Sequence, residues 1–224
     1  MGRQPPRLAD RVRFRLVRRD HDLLRGRAEL VGRLADSSDP DIVNIQPAYS
    51  SVLVCFDARR TDHASLASRL RAILARGEGL EPAPIRTVEI PVCYGGEFGP
   101  DLDAVAAAAG LSPEDAVASH AAAEYSVCFL GFMPGFAYLS GLPAPLMVPR
   151  LAVPRRVVPA GSVGIAGPQT GVYPVSSPGG WRLIGRTPLV MFDPVRAPMS
   201  RLALGEKVRF KPIRPEEFEA LCPR

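Results

Sequence analysis

Between Glu124 and Asp193 the chain has no Asp, Glu, His or Lys, and its permanently charged side chains there are Arg150, Arg155, Arg156, Arg182 and Arg186. A carboxylate pair for acid–base work, a histidine-anchored metal site and a Ser-His-Asp triad all need groups that this stretch lacks. What it offers is anion binding: guanidinium forks hold carboxylates and phosphates bidentately, and glycine-rich turns add backbone N–H donors. No metal site is expected. Elsewhere the reactive groups are few. His21 and His63 lie in the N-terminal third, and His120 falls in the last turn of an expected helix, where it suits the helix dipole and is a weak candidate base. Ser162 and Ser177 have no base nearby in sequence and read as turn or backbone-bonding serines.

The run Gly161-Ser162-Val163-Gly164-Ile165-Ala166-Gly167 matches neither G-x-G-x-x-G nor a Walker loop. Its glycines are expected to allow tight turns and close packing of short strands. Ser177-Pro178-Gly179-Gly180-Trp181 reads as a turn that delivers Trp181 to the core or to a pocket wall.

The elements that must position these groups fall into two parts. Residues 42–46 and 51–56 are β-rich runs around the turn-like Pro47-Ala48-Tyr49-Ser50. Leu66, Leu70, Ile73 and Leu74 then recur on one face of a helix closed by Gly77. Residues 78–86, with Gly79, Pro82 and Pro84, have linker composition, so the expected domains are 1–84 and 85–224. Beyond the linker, 87–94 reads as a strand. Gly99-Pro100-Asp101 opens a helix over 102–109 that Gly110 ends, and Ser112-Pro113-Glu114-Asp115 caps a second over 116–123. From Tyr125 to 207–212, short apolar runs punctuated by Gly and Pro suggest a closed barrel or a sandwich.

The composition, 46% hydrophobic and 23% charged over 224 residues, excludes disorder, and 20 Gly with 24 Pro argue against a helical bundle. The net charge of +5 resides in residues 1–33, where ten Arg oppose four acids. That face has only Phe14 between its basic residues, so nucleic-acid binding is not expected. The uncharged stretches 125–149 and 157–181 are each broken by four or more prolines, so no membrane span is expected. Cys55, Cys93, Cys128 and Cys222 form no C-x-x-C pair, and Met1 opens onto Arg- and Pro-rich sequence rather than a leader, so a cytoplasmic location with reduced thiols is expected.

The ordered run Phe129-Leu130-Gly131-Phe132-Met133-Pro134-Gly135-Phe136-Ala137-Tyr138-Leu139, with Gly141-Leu142-Pro143, Pro149-Arg150 and Pro154-Arg155, resembles the family that contains the B subunit of 5-oxoprolinase. The family also includes allophanate hydrolase subunit 1, the matching part of the urea carboxylase carboxyltransferase domain and a sporulation-kinase inhibitor. The resemblance continues through 159–167, Gln169-Thr170-Gly171-Val172-Tyr173-Pro174, Ser177-Pro178-Gly179-Gly180-Trp181 and Ile184-Gly185-Arg186-Thr187-Pro188. It is poor over residues 1–40, where Ala9-Asp10-Arg11-Val12 stands in place of the usual Gly-Asp that opens a strand.

The resemblance implies an α+β fold: a small α+β N-terminal domain followed by a cyclophilin-like β-barrel. It implies a non-autonomous subunit of an ATP-dependent hydrolase of non-peptide C–N bonds, either 5-oxoprolinase or an allophanate hydrolase type. One implied partner is a homologous cyclophilin-like subunit, which is the C subunit of 5-oxoprolinase or allophanate hydrolase subunit 2. The other is the A subunit of 5-oxoprolinase, with ATP bound by or with a partner. Arg150, Arg155 and Arg186 are then the candidates for an anionic group, with Gln169 and Tyr173 as neutral donors. The chain lacks the Met-Lys-Met context of a biotinyl lysine. The alternative reading is a regulatory protein that inhibits a histidine kinase; prolyl isomerase activity does not follow from a shared fold.

Overall fold

The computed structural model describes residues 10–15, 31–32, 34, 37–48, 51–75 and 85–222. His21, the Gly77 helix stop, part of the turn after Pro47 and most of the expected linker lie outside them. The chain divides into two compact units, residues 1–84 and 85–224.

In the first unit, β1 (Asp10–Arg15), β2 (Ile42–Pro47) and β3 (Ser51–Phe56) form an antiparallel sheet in the order β1-β3-β2. Strand β1 forms despite the missing Gly-Asp opening, paired along β3 from Asp10–Phe56 to Arg15–Ser51. Alternate β3 residues Val52, Val54 and Phe56 pack against Leu66 and Leu70 of α1 (His63–Ala75), as a period of 2 meeting a period of 3.6 requires. Asp62 starts that helix by accepting the Ser65 N–H at 2.8 Å.

The second unit runs β4 (Thr87–Tyr94), α2 (Leu102–Ala109), α3 (Pro113–Ala122), β5 (Tyr125–Leu130), β6 (Ala137–Ser140), β7 (Arg155–Val158), β8 (Ser162–Ala166), β9 (Gln169–Val172), β10 (Ser177–Gly179), β11 (Arg182–Arg186), β12 (Lys207–Pro212) and α4 (Pro215–Leu221). Seven of these strands close a barrel in the order β11-β4-β12-β5-β6-β9-β8. Only β12 and β4 pair in parallel, and β7 with β10 forms a separate two-stranded ribbon. The helix signals act as expected: Ser112 Oγ accepts the Asp115 N–H at 3.0 Å with Pro113 in the first turn, and Gly110 ends α2 in the left-handed conformation.

Alternation along each strand separates two apolar layers. Val127, Leu139, Val163, Ile165, Val172 and Ile184 join the main core with residues of α2 and α3. On the other face, Phe136, Val158, Ala166, Tyr173, Trp181 and Leu183 form a second cluster. Among the described residues no helix is long and apolar enough to cross a membrane.

Candidate functional site

The second layer exists because two strands carry glycine on their outer face. A Cβ on Gly171 would lie 2.9 Å from the Ala137 carbonyl oxygen and 3.3 Å from the Trp181 ring, and one on Gly164 would lie 3.0 Å from Trp181 Cβ. The glycines of the 161–167 run and of β9 therefore let an indole lie against the sheet, which is packing rather than phosphate binding. Trp181 is buried, edge-on to Phe136 at 5.4 Å, Tyr138 at 5.8 Å and Tyr173 at 6.4 Å. Burial pushes the Tyr138 and Tyr173 phenols above their usual range, and the nearby Arg150 guanidinium opposes this at both. Arg150, Tyr138 and Tyr173 thus share one neighbourhood.

Arg155 borders the same neighbourhood, since its charge also acts on Tyr173. It pairs with Gly179 across the ribbon, and the Tyr173 hydroxyl lies 2.5 Å from where a Gly179 Cβ would stand. Its Nη2 donates to Asp101 Oδ1 at 2.8 Å, while Nη1 is buried without a partner. Asp101, which opens α2 and is itself buried, accepts the Leu183 N–H on its other oxygen at 2.7 Å. Arg150 is exposed.

Arg186 takes a different part. Its Nε donates to the Ala160 carbonyl at 2.9 Å and its guanidinium carbon stands 5.9 Å over the Phe218 ring, so it braces the β7–β8 turn against α4. Gln169 begins β9 beside the β8–β9 turn, on the same face of its strand as Gly171.

His120 lies on the inner side of the barrel, 0% exposed. Thr170 gives its hydroxyl proton to the Gly164 carbonyl at 3.0 Å, so it accepts from His120 Nε2 at 3.2 Å, and the Tyr94 hydroxyl donates to Nδ1 at 2.9 Å. The ring stacks on Phe210 at 4.7 Å. Burial lowers its pKa to about 3, so the imidazole is neutral at ordinary pH and both nitrogens are engaged. In this arrangement it is a structural link between α3 and β9.

Taken together, the outer face offers positive charge from Arg150 and Arg155 and the hydrogen-bonding phenols of Tyr138 and Tyr173, and Asp101, which reaches it, is engaged by Arg155 and the Leu183 N–H. It suits an anionic ligand. No group of three or more His, Cys, Asp or Glu able to hold a metal occurs among the described residues. Sequence reasoning missed Asp101 and Tyr138 as members of this neighbourhood. Asp101 reads locally as a helix opener, and its partners lie 54 and 82 residues away.

The family described as carboxyltransferase domain, subdomain C and D, matches residues 12–202. The chain is 49% identical over 193 residues to the B subunit of 5-oxoprolinase from Escherichia coli O157:H7, covering 86% of this chain and 85% of that protein. Among solved structures, TTHA0988 aligns over 92% of this chain at 35% identity with a TM-score of 0.81. This chain spans only 40% of that protein. A conserved protein of Pyrococcus horikoshii, PH0987, is 45% identical over 92% of this chain and 96% of its own, with a TM-score of 0.59. The Kluyveromyces lactis urea amidolyase, 20% identical with a TM-score of 0.73, shares the fold over 15% of its length.

Proposed function

The chain belongs to the carboxyltransferase-domain family of subdomains C and D, and from that premise we propose that it is the B-type subunit of a 5-oxoprolinase, opening 5-oxo-L-proline to L-glutamate with ATP. The observation that carries this reading is the match to the Escherichia coli protein over most of both chains. The site's chemistry supports it. A face of arginines and phenols whose carboxylate, Asp101, is already engaged suits one half of a composite site that another polypeptide completes. The partners in this reading are a homologous cyclophilin-like protein and a larger A-type subunit, and the nucleotide sits with a partner. The location is cytoplasmic, in keeping with four free cysteines.

A lactam carbonyl is a weak electrophile. Transfer of the ATP γ-phosphoryl group to the carbonyl oxygen makes a phosphate ester of the ring amide and releases ADP. Water then adds to that carbon, and the ring C–N bond breaks with the electron pair going to nitrogen, which takes up a proton, leaving an acyl phosphate on the opened chain; a second water cleaves that acyl phosphate to the carboxylate and inorganic phosphate. In this chain Arg150 and Arg155 hold the substrate carboxylate or the developing oxyanion, with Tyr173 and Gln169 as neutral donors. Arg186, committed to the Ala160 carbonyl, keeps the turn in place instead.

The test is reconstitution from separately purified subunits, with glutamate formation from 5-oxo-L-proline and ATP followed with and without this chain. Loss of product on omission is expected. Undiminished product without the chain would refute the proposal.

A further inference from the structure

Phe132 stands out among the described residues of the barrel unit. It is the only non-glycine there with a left-handed backbone, φ +69°, and its side chain is 63% exposed. Such a conformation costs on the order of 1–3 kcal/mol and persists only when the surroundings impose it. Here the Met133 N–H bond to Gly131 O at 2.8 Å, which closes the chain around Phe132, and the Gly131 N–H bond to Phe136 O at 3.1 Å impose it. The ring touches Phe136 edge-on at 5.6 Å and otherwise faces outward. The fold thus bears strain to display an aromatic ring rather than to bury it.

A second surface borders the same aromatic cluster. Leu151 N–H donates to Gly180 O at 2.7 Å, which lays residues 147–158 along 175–182. From this strip Val153 (81%) and Val157 (65%) protrude, with Met147 and Val175 also exposed. Arg156 is exposed beside Val157. Arg155, its neighbour, is matched by Asp101, whereas among the described residues Arg150 and Arg156 form no ion pair. Exposed apolar side chains grouped with arginine and an aromatic anchor are the composition of a protein–protein hot spot, and scattered singly they would need no explanation.

We infer that the 131–135 turn and the 147–158 strip form the docking face for a partner protein of the complex, whose complementary surface has an apolar socket for Phe132 rimmed by carboxylates that meet Arg156. The charge decides the occupant: a second copy of this strip would set arginine against arginine, which costs affinity. This rests on the function proposed above and adds to it the surface through which assembly occurs.

The experiment measures the dissociation constant between this chain and a separately purified C-type partner from the same organism by sedimentation, for wild type, Phe132→Gly, Arg156→Glu and a control outside the 131–158 face, Glu89→Gln (Glu89 is exposed on β4). Each face variant is expected to weaken the complex about tenfold or more, Glu89→Gln to leave it unchanged, and the wild-type complex to weaken with added salt. Phe132→Gly separates docking from folding: glycine accepts the left-handed backbone, so the isolated chain should melt no lower than wild type while binding is lost. Wild-type affinity in both face variants would overturn the docking face and leave the proposed function standing. No wild-type complex at all would overturn both. Self-association of the chain alone that the variants abolish would overturn the hetero-partner in favour of a second copy.

Discussion

Asp101 holds Arg155 from across the fold: its Oδ1 accepts the arginine Nη2 at 2.8 Å while its Oδ2 accepts the Leu183 N–H at 2.7 Å. One carboxylate thereby ties the start of α2 to β7 and β11. It also turns the ribbon arginine so that a second, unpartnered nitrogen remains inside.

Replacing Asp101 by Asn keeps the shape and removes the charge that balances Arg155. Breaking a buried pair costs about 3–5 kcal/mol. Because the Arg155 side chain is 28% exposed, a loss of about 2 kcal/mol in urea unfolding is expected. A midpoint equal to wild type would show that the pair is idle.

His120 gives a pH signature. Its folded pKa of about 3 lies below the ordinary 6.5, so the unfolded chain binds the proton first as pH falls. Its contribution is therefore complete above pH 6.5 and is lost progressively between pH 6.5 and about 3. Between pH 6.5 and 5, unfolding free energy should fall by up to about 1.4 kcal/mol per pH unit. In His120→Gln, which carries no titrating ring, that slope should flatten. An unchanged slope in the variant would assign it to other groups.

Gly171→Ala probes the outer layer. The new methyl meets the Ala137 carbonyl oxygen at 2.9 Å and the Phe136 and Trp181 rings at 3.2 and 3.3 Å. Overpacking of this kind costs about 1–3 kcal/mol. Trp181 is the only tryptophan, so its fluorescence reports both the displacement and the earlier unfolding.

Arg150 and Arg186 should separate by experiment. Arg150→Ala removes an exposed side chain and should change stability by less than about 0.5 kcal/mol. Arg186→Ala leaves the Ala160 carbonyl without its donor and should cost about 1 kcal/mol. Thermal melts of both variants check this. Equal losses would remove the distinction between a binding arginine and a bracing one.

Much of this architecture was legible locally. The caps at Ser112 and Gly110, the strand over 87–94 and the β3–α1 packing follow from signals a few residues long. The glycine run was legible as packing because no phosphate-loop spacing accompanied it, and Gly164 packs against Trp181 as that reading requires. The arginines were another matter. Their number could be counted in the chain, but which are engaged depends on Asp101, on the Ala160 carbonyl and on where the ribbon folds back, and no local pattern encodes such distant partners. His120 was visible as a helix-end residue, whereas its burial depends on Thr170 arriving from β9, 50 residues later. The left-handed Phe132 was hidden because its type argues against that conformation, and only the closed turn enforces it.

In the proposed 5-oxoprolinase, the face around Arg150 and Arg155 receives the anionic part of the substrate. The most direct measurement is the steady-state kinetics of 5-oxo-L-proline hydrolysis by the reconstituted complex carrying wild-type or Arg150→Ala chain, with sedimentation showing that both complexes are intact. A Michaelis constant raised about tenfold or more is expected in the variant, as loss of a charged hydrogen bond to a carboxylate implies. An intact complex with unchanged Michaelis constant and turnover would contradict it.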